Sequence, residues 1–324
     1  MNMLLVTILL FMYSNNEGCY VNSLTLQNHE LGRRTALVRS AGTAGNIALT
    51  TSLLGIIPPL ASAATPSSIA SRFETPDLVI QSPSRNSEIN GVDNMFFPSW
   101  LEGEWEVKQT LVDTFTPQGL RFVGGPSGDL SIANKSMQEQ RSKIGIPVNL
   151  KIRFVKTKWG VVEDRVFNLR ERLDGFAGRK VVASVEYADV GGSNRASVLA
   201  LGGTDKDPLQ TSVVRFKGPA AQKTFLVAHG GEASTSGNTD TWAGFEMSRS
   251  IFALTNQSTA PPITVDTEVI WLLNRAEVVD ENPVVIEGKL RLVDYLNAQS
   301  DVLYFEAKNR AVSISDYVLE FRKI

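Results

Sequence analysis

From Met95 onward, apolar and polar residues alternate with period two, the signature of strands that set one face against a core. Val148, Leu150, Ile152 and Phe154 alternate with Asn149, Lys151 and Arg153, and Val284, Ile286, Leu290 and Leu292 alternate with Glu287, Lys289 and Arg291. In the last strand Ser313, Ser315, Tyr317, Leu319 and Phe321 share one face. Further strands are predicted over 105–112, 179–187, 210–216, 223–228, 242–253, 263–273 and 302–307, about ten in all. Turns are expected at Gly191-Gly192, Gly202-Gly203, Lys217-Gly218-Pro219, Gly230-Gly231, Ser236-Gly237-Asn238, Ala260-Pro261-Pro262 and Glu281-Asn282-Pro283. One segment departs from the pattern. In 163–175, Val166, Leu169 and Leu173 recur at helical spacing, with Phe176 beyond, which predicts an amphipathic helix closing one end. So many strands without alternating helices must fold over or close on themselves, because closure removes exposed edges. The expected fold is all-β with minor α: a single antiparallel β-barrel with one short helix.

Ahead of this domain, 95–324, the composition changes three times. Residues 1–23 contain the apolar run Leu4 to Met12, as long as a secretory h-region and well short of the roughly 20 residues of a membrane span. Residues 24–63 begin basic and then carry Arg33-Arg34, a mild apolar run, Pro58-Pro59 and Ala61-Ser62-Ala63. This order resembles a transit peptide followed by a twin-arginine export signal, with cleavage after Ala63. The run 41–63 is long enough to be an anchor, but its Gly, Thr and Asn content makes it weakly hydrophobic, so no permanent span is expected after processing. Residues 64–94, rich in Ser, Pro and Asn, are expected to form a flexible leader. Signals in this series fit a route through a secretory membrane and a plastid envelope into the thylakoid lumen.

The string Phe97-Pro98-Ser99-Trp100-Leu101-Glu102-Gly103-Glu104-Trp105 opens the domain. Its Gly103-x-Trp105, with Trp100 just before, is similar to the start of lipocalin and calycin barrels; the resemblance implies a tight turn at the glycine and an indole plugging the barrel floor. Together with Glu163-Asp164-Arg165-Val166-Phe167-Asn168, Ser248-Arg249-Ser250, Val265-Asp266-Thr267-Glu268 and Asp316-Tyr317, that string also resembles an uncharacterised thylakoid family of plants and algae. The second resemblance implies plastid residence and a β-rich domain, and no mechanism.

Charge and residue supply narrow the chemistry. Lys and Arg total 32 against 34 Asp and Glu, which argues against nucleic acid held by phosphate neutralisation. The one cysteine, Cys19, and one of the two histidines, His29, fall in the removable address. A disulfide framework, a cysteine nucleophile and a Cys/His zinc cluster therefore lack their side chains, and no metal or cofactor is expected. His229 sits before Gly230-Gly231, read as a solvated turn, and no Gly-x-Ser-x-Gly elbow is present. The carboxylate pairs Glu163-Asp164, Asp266 with Glu268 and Glu104 with Glu106 are what a chain this acidic yields by chance. Gly124-Gly125-Pro126-Ser127-Gly128 lacks the lysine of a phosphate loop.

Arg249 is the most informative residue. Alternation places it with Phe245, Met247 and Ile251 on a face read as buried, where its charge must be paired, wetted or reserved for an anionic ligand. An internal salt bridge to Asp266 or Glu268 on the next strand is the alternative. Trp159, Trp242, Trp271, Phe245 and Tyr304 could line an apolar pocket or simply fill the core. The expected function is non-catalytic binding of a small apolar or amphipathic ligand, such as a lipid, carotenoid or tetrapyrrole. A thylakoid-complex assembly module with a filled core is the alternative, and a lipid- or pigment-modifying enzyme a more distant one. N-terminal sequencing of the protein from fractionated plastids is expected to read from Ala64 in the lumen fraction; mature protein in stroma or cytosol would overturn the reading of Arg33, Arg34, Ala61 and Ala63.

Overall fold

Most of the alternating segments do form strands. The structure, a computed structural model, describes residues 68–80, 95–125, 127–157, 160–187, 211–236, 239–256, 262–276, 285–298 and 301–324. Its strands are β1 (Gly103–Phe115), β2 (Pro147–Lys156), β3 (Val161–Glu163), β4 (Val182–Tyr187), β5 (Thr211–Phe216), β6 (Ala220–Ser236), β7 (Thr239–Leu254), β8 (Ile263–Ala276), β9 (Val285–Tyr295) and β10 (Ser313–Lys323). The helices are α1 (Leu130–Arg141), α2 (Arg165–Ala177) and α3 (Tyr304–Ala307). The ten strands form one antiparallel sheet in the order β3-β2-β1-β10-β9-β8-β7-β6-β5-β4. The first strand thus pairs with the last, and the sheet curls into a half-barrel. Bulges at Leu111/Asp113, Leu226/Ala228 and Val182/Ser184 add the local bend that curling requires.

Four local readings are corrected. Residues 302–307, expected as a strand, contain the short helix α3, because the four apolar residues Val302 to Phe305 are too few to carry a period of their own. The three-residue β3 takes its place in the count. Gly230-Gly231 is not a turn but lies inside β6. A side chain at Gly230 would meet the Phe245 ring at 2.6 Å, so the glycine serves ring packing. Helix α1 was not expected: its buried apolar residues are only Ala133 and Met137, beside the buried polar Ser136 and Gln140, although Asp129 caps it by accepting from the Ser131 and Ile132 N–H groups.

At the start of β1, Gly103 takes a φ of +124°, a conformation open to glycine. It turns the chain so that Trp105 is fully buried and its indole N–H donates to the Leu101 carbonyl at 2.8 Å. Trp105 meets Phe321 edge-on, and Phe97, Phe154, Trp242 and Trp271 pack beside them in one aromatic floor.

The two ends of the sheet, β3 and β4, do not pair with each other among the described residues. Helix α2 connects them in sequence and packs on both β2 and β4. Asp164 caps its start, Gly178 at φ +64° ends it, and the face carrying Val166, Leu169, Leu173 and Phe176 turns inward as its spacing predicts. Two side chains stand in for ladder bonds. The Asn168 carboxamide accepts from the Arg153 N–H of β2 at 2.7 Å and donates to the Arg153 carbonyl at 3.0 Å. Asp174 accepts from the N–H groups of Val181 and Val182, at the head of β4, at 2.7 and 2.9 Å.

The outer face of the sheet is covered as well. Residues 68–80, part of the stretch read as leader, form a 3-10 turn (Ile69–Phe73) and a bridge from Val79 to Arg310. Leu78, Ile69, Phe73 and Ile80 join a second apolar cluster with Met247, Ile270, Val293 and Ile314. Arg72 pairs with the fully buried Glu268 at 2.7 Å, and the Tyr295 hydroxyl donates to the same carboxylate. Arg291 grips Asp316 with both ends of its fork and donates to the Arg72 and Thr75 carbonyls.

Because Asn168 is fully buried and serves both polar groups of an edge residue, Asn168→Ala is expected to destabilise the fold by about 1–3 kcal/mol. Thermal unfolding followed by circular dichroism checks this; an unchanged midpoint would mean that apolar packing alone holds α2.

Candidate ligand-binding cavity

Inside the curl, beneath α2, lies a cavity of about 180 Å³. The helix supplies Arg165, Leu169, Arg172 and Phe176, and the strands opposite supply Gln109, Leu226, Glu246, Trp271, Leu290 and Leu292. Register explains the gathering. Pairing sets Glu246 against Val269, Gly244 against Trp271, Trp271 against Leu290 and Val269 against Leu292, so even positions of β7 and β9 and odd positions of β8 share the inner face. A second space, of about 20 Å³, shares Gln109, Arg172, Trp271 and Leu290 with this cavity and is lined further by Phe97 and Phe154.

The cavity has an apolar floor and a charged roof. Arg165 reaches across the interior from α2 and holds Glu246 of β7 with both nitrogens, one bond at 2.8 Å. It also lies 3.6 Å from Glu163, which Arg172 and the Asn168 carboxamide engage as well. Burial alone would raise the Glu163 carboxyl, yet Arg172 and Arg165 outweigh it and hold the group below the usual carboxylate range. Arg165 is likewise held in its charged form: burial opposes the charge, and Glu246 more than offsets it. Two guanidiniums against two carboxylates leave the roof neutral in sum. On the wall, Ser212, Thr224 and Ser248 add hydroxyls.

The residues singled out from sequence separate. Trp242 and Trp271 stand on the inner face, 6.5 Å apart. Arg249 and Phe245 stand on the opposite, outer face of β7. There Arg249 forms a two-pronged pair with Asp266 at 2.7 and 2.9 Å, and Asn297 donates to the same carboxylate. The pairing matches the salt-bridge alternative, and the assumption that Arg249's face is the barrel interior is corrected: both faces of β7 are buried, one by the barrel core and the other by residues 68–80. Tyr304 belongs to α3, half-buried and edge-on to Phe305. Trp100 sits partly buried against the floor cluster. His229, read as a turn residue, is buried in β6 directly opposite Glu246. Trp159 and the targeting residues Arg33, Arg34, Ala61 and Ala63 lie outside the described residues. Sequence reasoning passed over Gln109, Arg165 and Arg172; the available signal was a polar residue at an inner position of β1 between Val107 and Leu111.

A smaller cavity, about 80 Å³, lies among Val123, Ile132, Thr264, Tyr295, Asp301 and the inner-face Asp294. Burial pushes the Asp294 carboxyl up to about 7, partly countered by hydrogen bonds from Thr267 and Ser313. Tyr317, also raised by burial, feels the Asp294 charge. Among the described residues no group of three or more His, Cys, Asp or Glu is placed to hold a metal ion, and no helix is long and apolar enough to cross a membrane.

Residues 90–324 match the family model of a domain of unknown function (DUF6816). No curated protein and no solved structure matches the chain.

The Asp294 shift carries a pH dependence of definite sign. Its folded value lies above its unfolded one, so the stability it contributes is fully present below about pH 4 and is lost as pH rises through about 7. Asp294→Asn is expected to match the parent near pH 4 and to exceed it at pH 8 by roughly 3–4 kcal/mol. Urea unfolding at both pH values measures this, and equal differences at the two would show that the carboxyl ionises normally.

Proposed function

The chain belongs to the DUF6816 family, and we propose that its half-barrel is a binding module that holds a small amphipathic molecule in the interior beneath α2. The carrying observation is the cavity itself: an apolar floor of Trp271, Leu290 and Leu292 under a roof of paired charges, at the seam where a helix replaces a strand ladder. Sites for small molecules share this build, apolar walls with a few convergent polar groups. The seam also supplies a way in, since lifting α2 breaks side-chain bonds and packing but no backbone ladder between β3 and β4. At about 180 Å³ the space suits a one- or two-ring molecule, or the head of a larger amphiphile. A whole carotenoid or tetrapyrrole would need α2 displaced.

In this reading the protein performs no chemistry on its guest. The two cavity carboxylates are locked by arginines, and Glu163, held below the usual range, is a poor proton donor. The setting is the thylakoid lumen, supported by the order of signals in residues 1–63. A docking role has its own support in the exposed Val302 and Phe305, each 79% accessible.

Organic extraction of the native protein from thylakoids, followed by mass spectrometry, is expected to release a stoichiometric small molecule. Comigration with a membrane complex and no released molecule would favour docking, and turnover of any substrate by the purified protein would end the non-catalytic reading.

A further inference from the structure

We propose that Gln109 reads the guest, and that the guest is an uncharged cyclic molecule bearing one hydroxyl or carbonyl group; this rests on the interior being a binding site. Gln109 is 6% exposed and lines both the main cavity and the small one beside it. Its carboxamide makes no hydrogen bond with any described residue. Its inner-face neighbours are apolar: Val107 and Leu111 along β1, Leu319 across on β10 and Val148 across on β2. A leucine at this position would continue the wall; the carboxamide instead keeps its polar atoms open to the cavity, since it is not among the described side chains whose unpartnered polar atoms are sealed from solvent. The side chain offers one donor group and one acceptor to whatever fills the space beside it.

The other attributes of the guest follow from the same walls. The roof guanidiniums already face Glu163 and Glu246, so a carboxylate or phosphate entering the cavity would have to break a buried pair, and an ammonium would meet the same obstacle. A neutral guest leaves these pairs intact. Trp271 and Phe176 both line the space, and aromatic walls favour a flat molecule. An apolar cavity of about 150 Å³ holds benzene. The 180 Å³ here admits one ring with a substituent, or two fused rings.

The test titrates the purified protein with 1-naphthol and with naphthalene, following tryptophan fluorescence and calorimetry, and repeats both with Gln109→Met, which keeps volume and removes the hydrogen-bonding groups. On apolar burial alone naphthalene binds at least as tightly as the more polar naphthol. The expected result is that the parent prefers 1-naphthol by about tenfold, and that in Gln109→Met the ratio of the two affinities falls to about one or below. If both molecules bind the parent equally, or the preference survives in Gln109→Met, the assignment of Gln109 falls while the interior remains a binding site. If neither molecule binds the parent up to its solubility limit, the binding-module reading falls with it. The parent's own discrimination decides the matter even if the variant does not fold.

Discussion

The fold depends on how one helix settles the two ends of a curled sheet. Each end strand carries backbone groups that need partners, and a ten-stranded antiparallel sheet can meet that need by pairing its ends. Here β3 and β4 are joined through α2 and a short link after it, so the helix stands in the gap. Asn168 and Asp174 then give to β2 and β4 what a neighbouring strand would have given. The same helix projects Arg165 inward to Glu246, which ties the seam to the far wall. Seam, lid and cavity roof are thus a single element, and whatever loosens α2 opens the interior.

The period-two pattern was sufficient for fold class, for most strand positions and for the inner face of β10, since each of those strands has one clearly polar side. It failed where both sides are covered. On β7 the even positions pack into the barrel while Met247 packs under residues 68–80, so alternation could not say which face held Arg249. The helical spacing of Val166, Leu169 and Leu173 located α2 to within two residues at each end. Its role at the seam was not legible, because Asn168 and Asp174 act on backbone groups brought near only by the curl. The glycines misled for a related reason: Gly230 makes room for a ring from the neighbouring strand.

Residues 68–80 change the character of the sheet's outer side. Without them Glu268 would meet water; beneath them it is fully buried, its carboxyl raised by burial and eased by Arg72 and Tyr295. A buried charge pair adds little net stability, but removing one partner strands the other, so such a pair enforces position. Arg72 can sit in one place only, and Arg291 fixes the turn that carries it by binding two of its carbonyls. The segment is therefore docked by specific polar bonds as well as by Leu78 and Phe73.

Interior polarity is the last step. A barrel whose inside serves only as a core has no use for Gln109, Ser212, Thr224, Ser248, Glu246 and two arginines in its middle, since each polar group there must be satisfied at a cost in apolar burial. The floor beneath shows what such a core looks like in this chain: Trp105, Phe321, Ile286, Leu273 and Trp242 are aromatic or aliphatic. Polar residues begin where the cavity begins. That coincidence along one set of strands, with no change of register on β8 or β9 to account for it, is the physical reason to read the space as built for a guest.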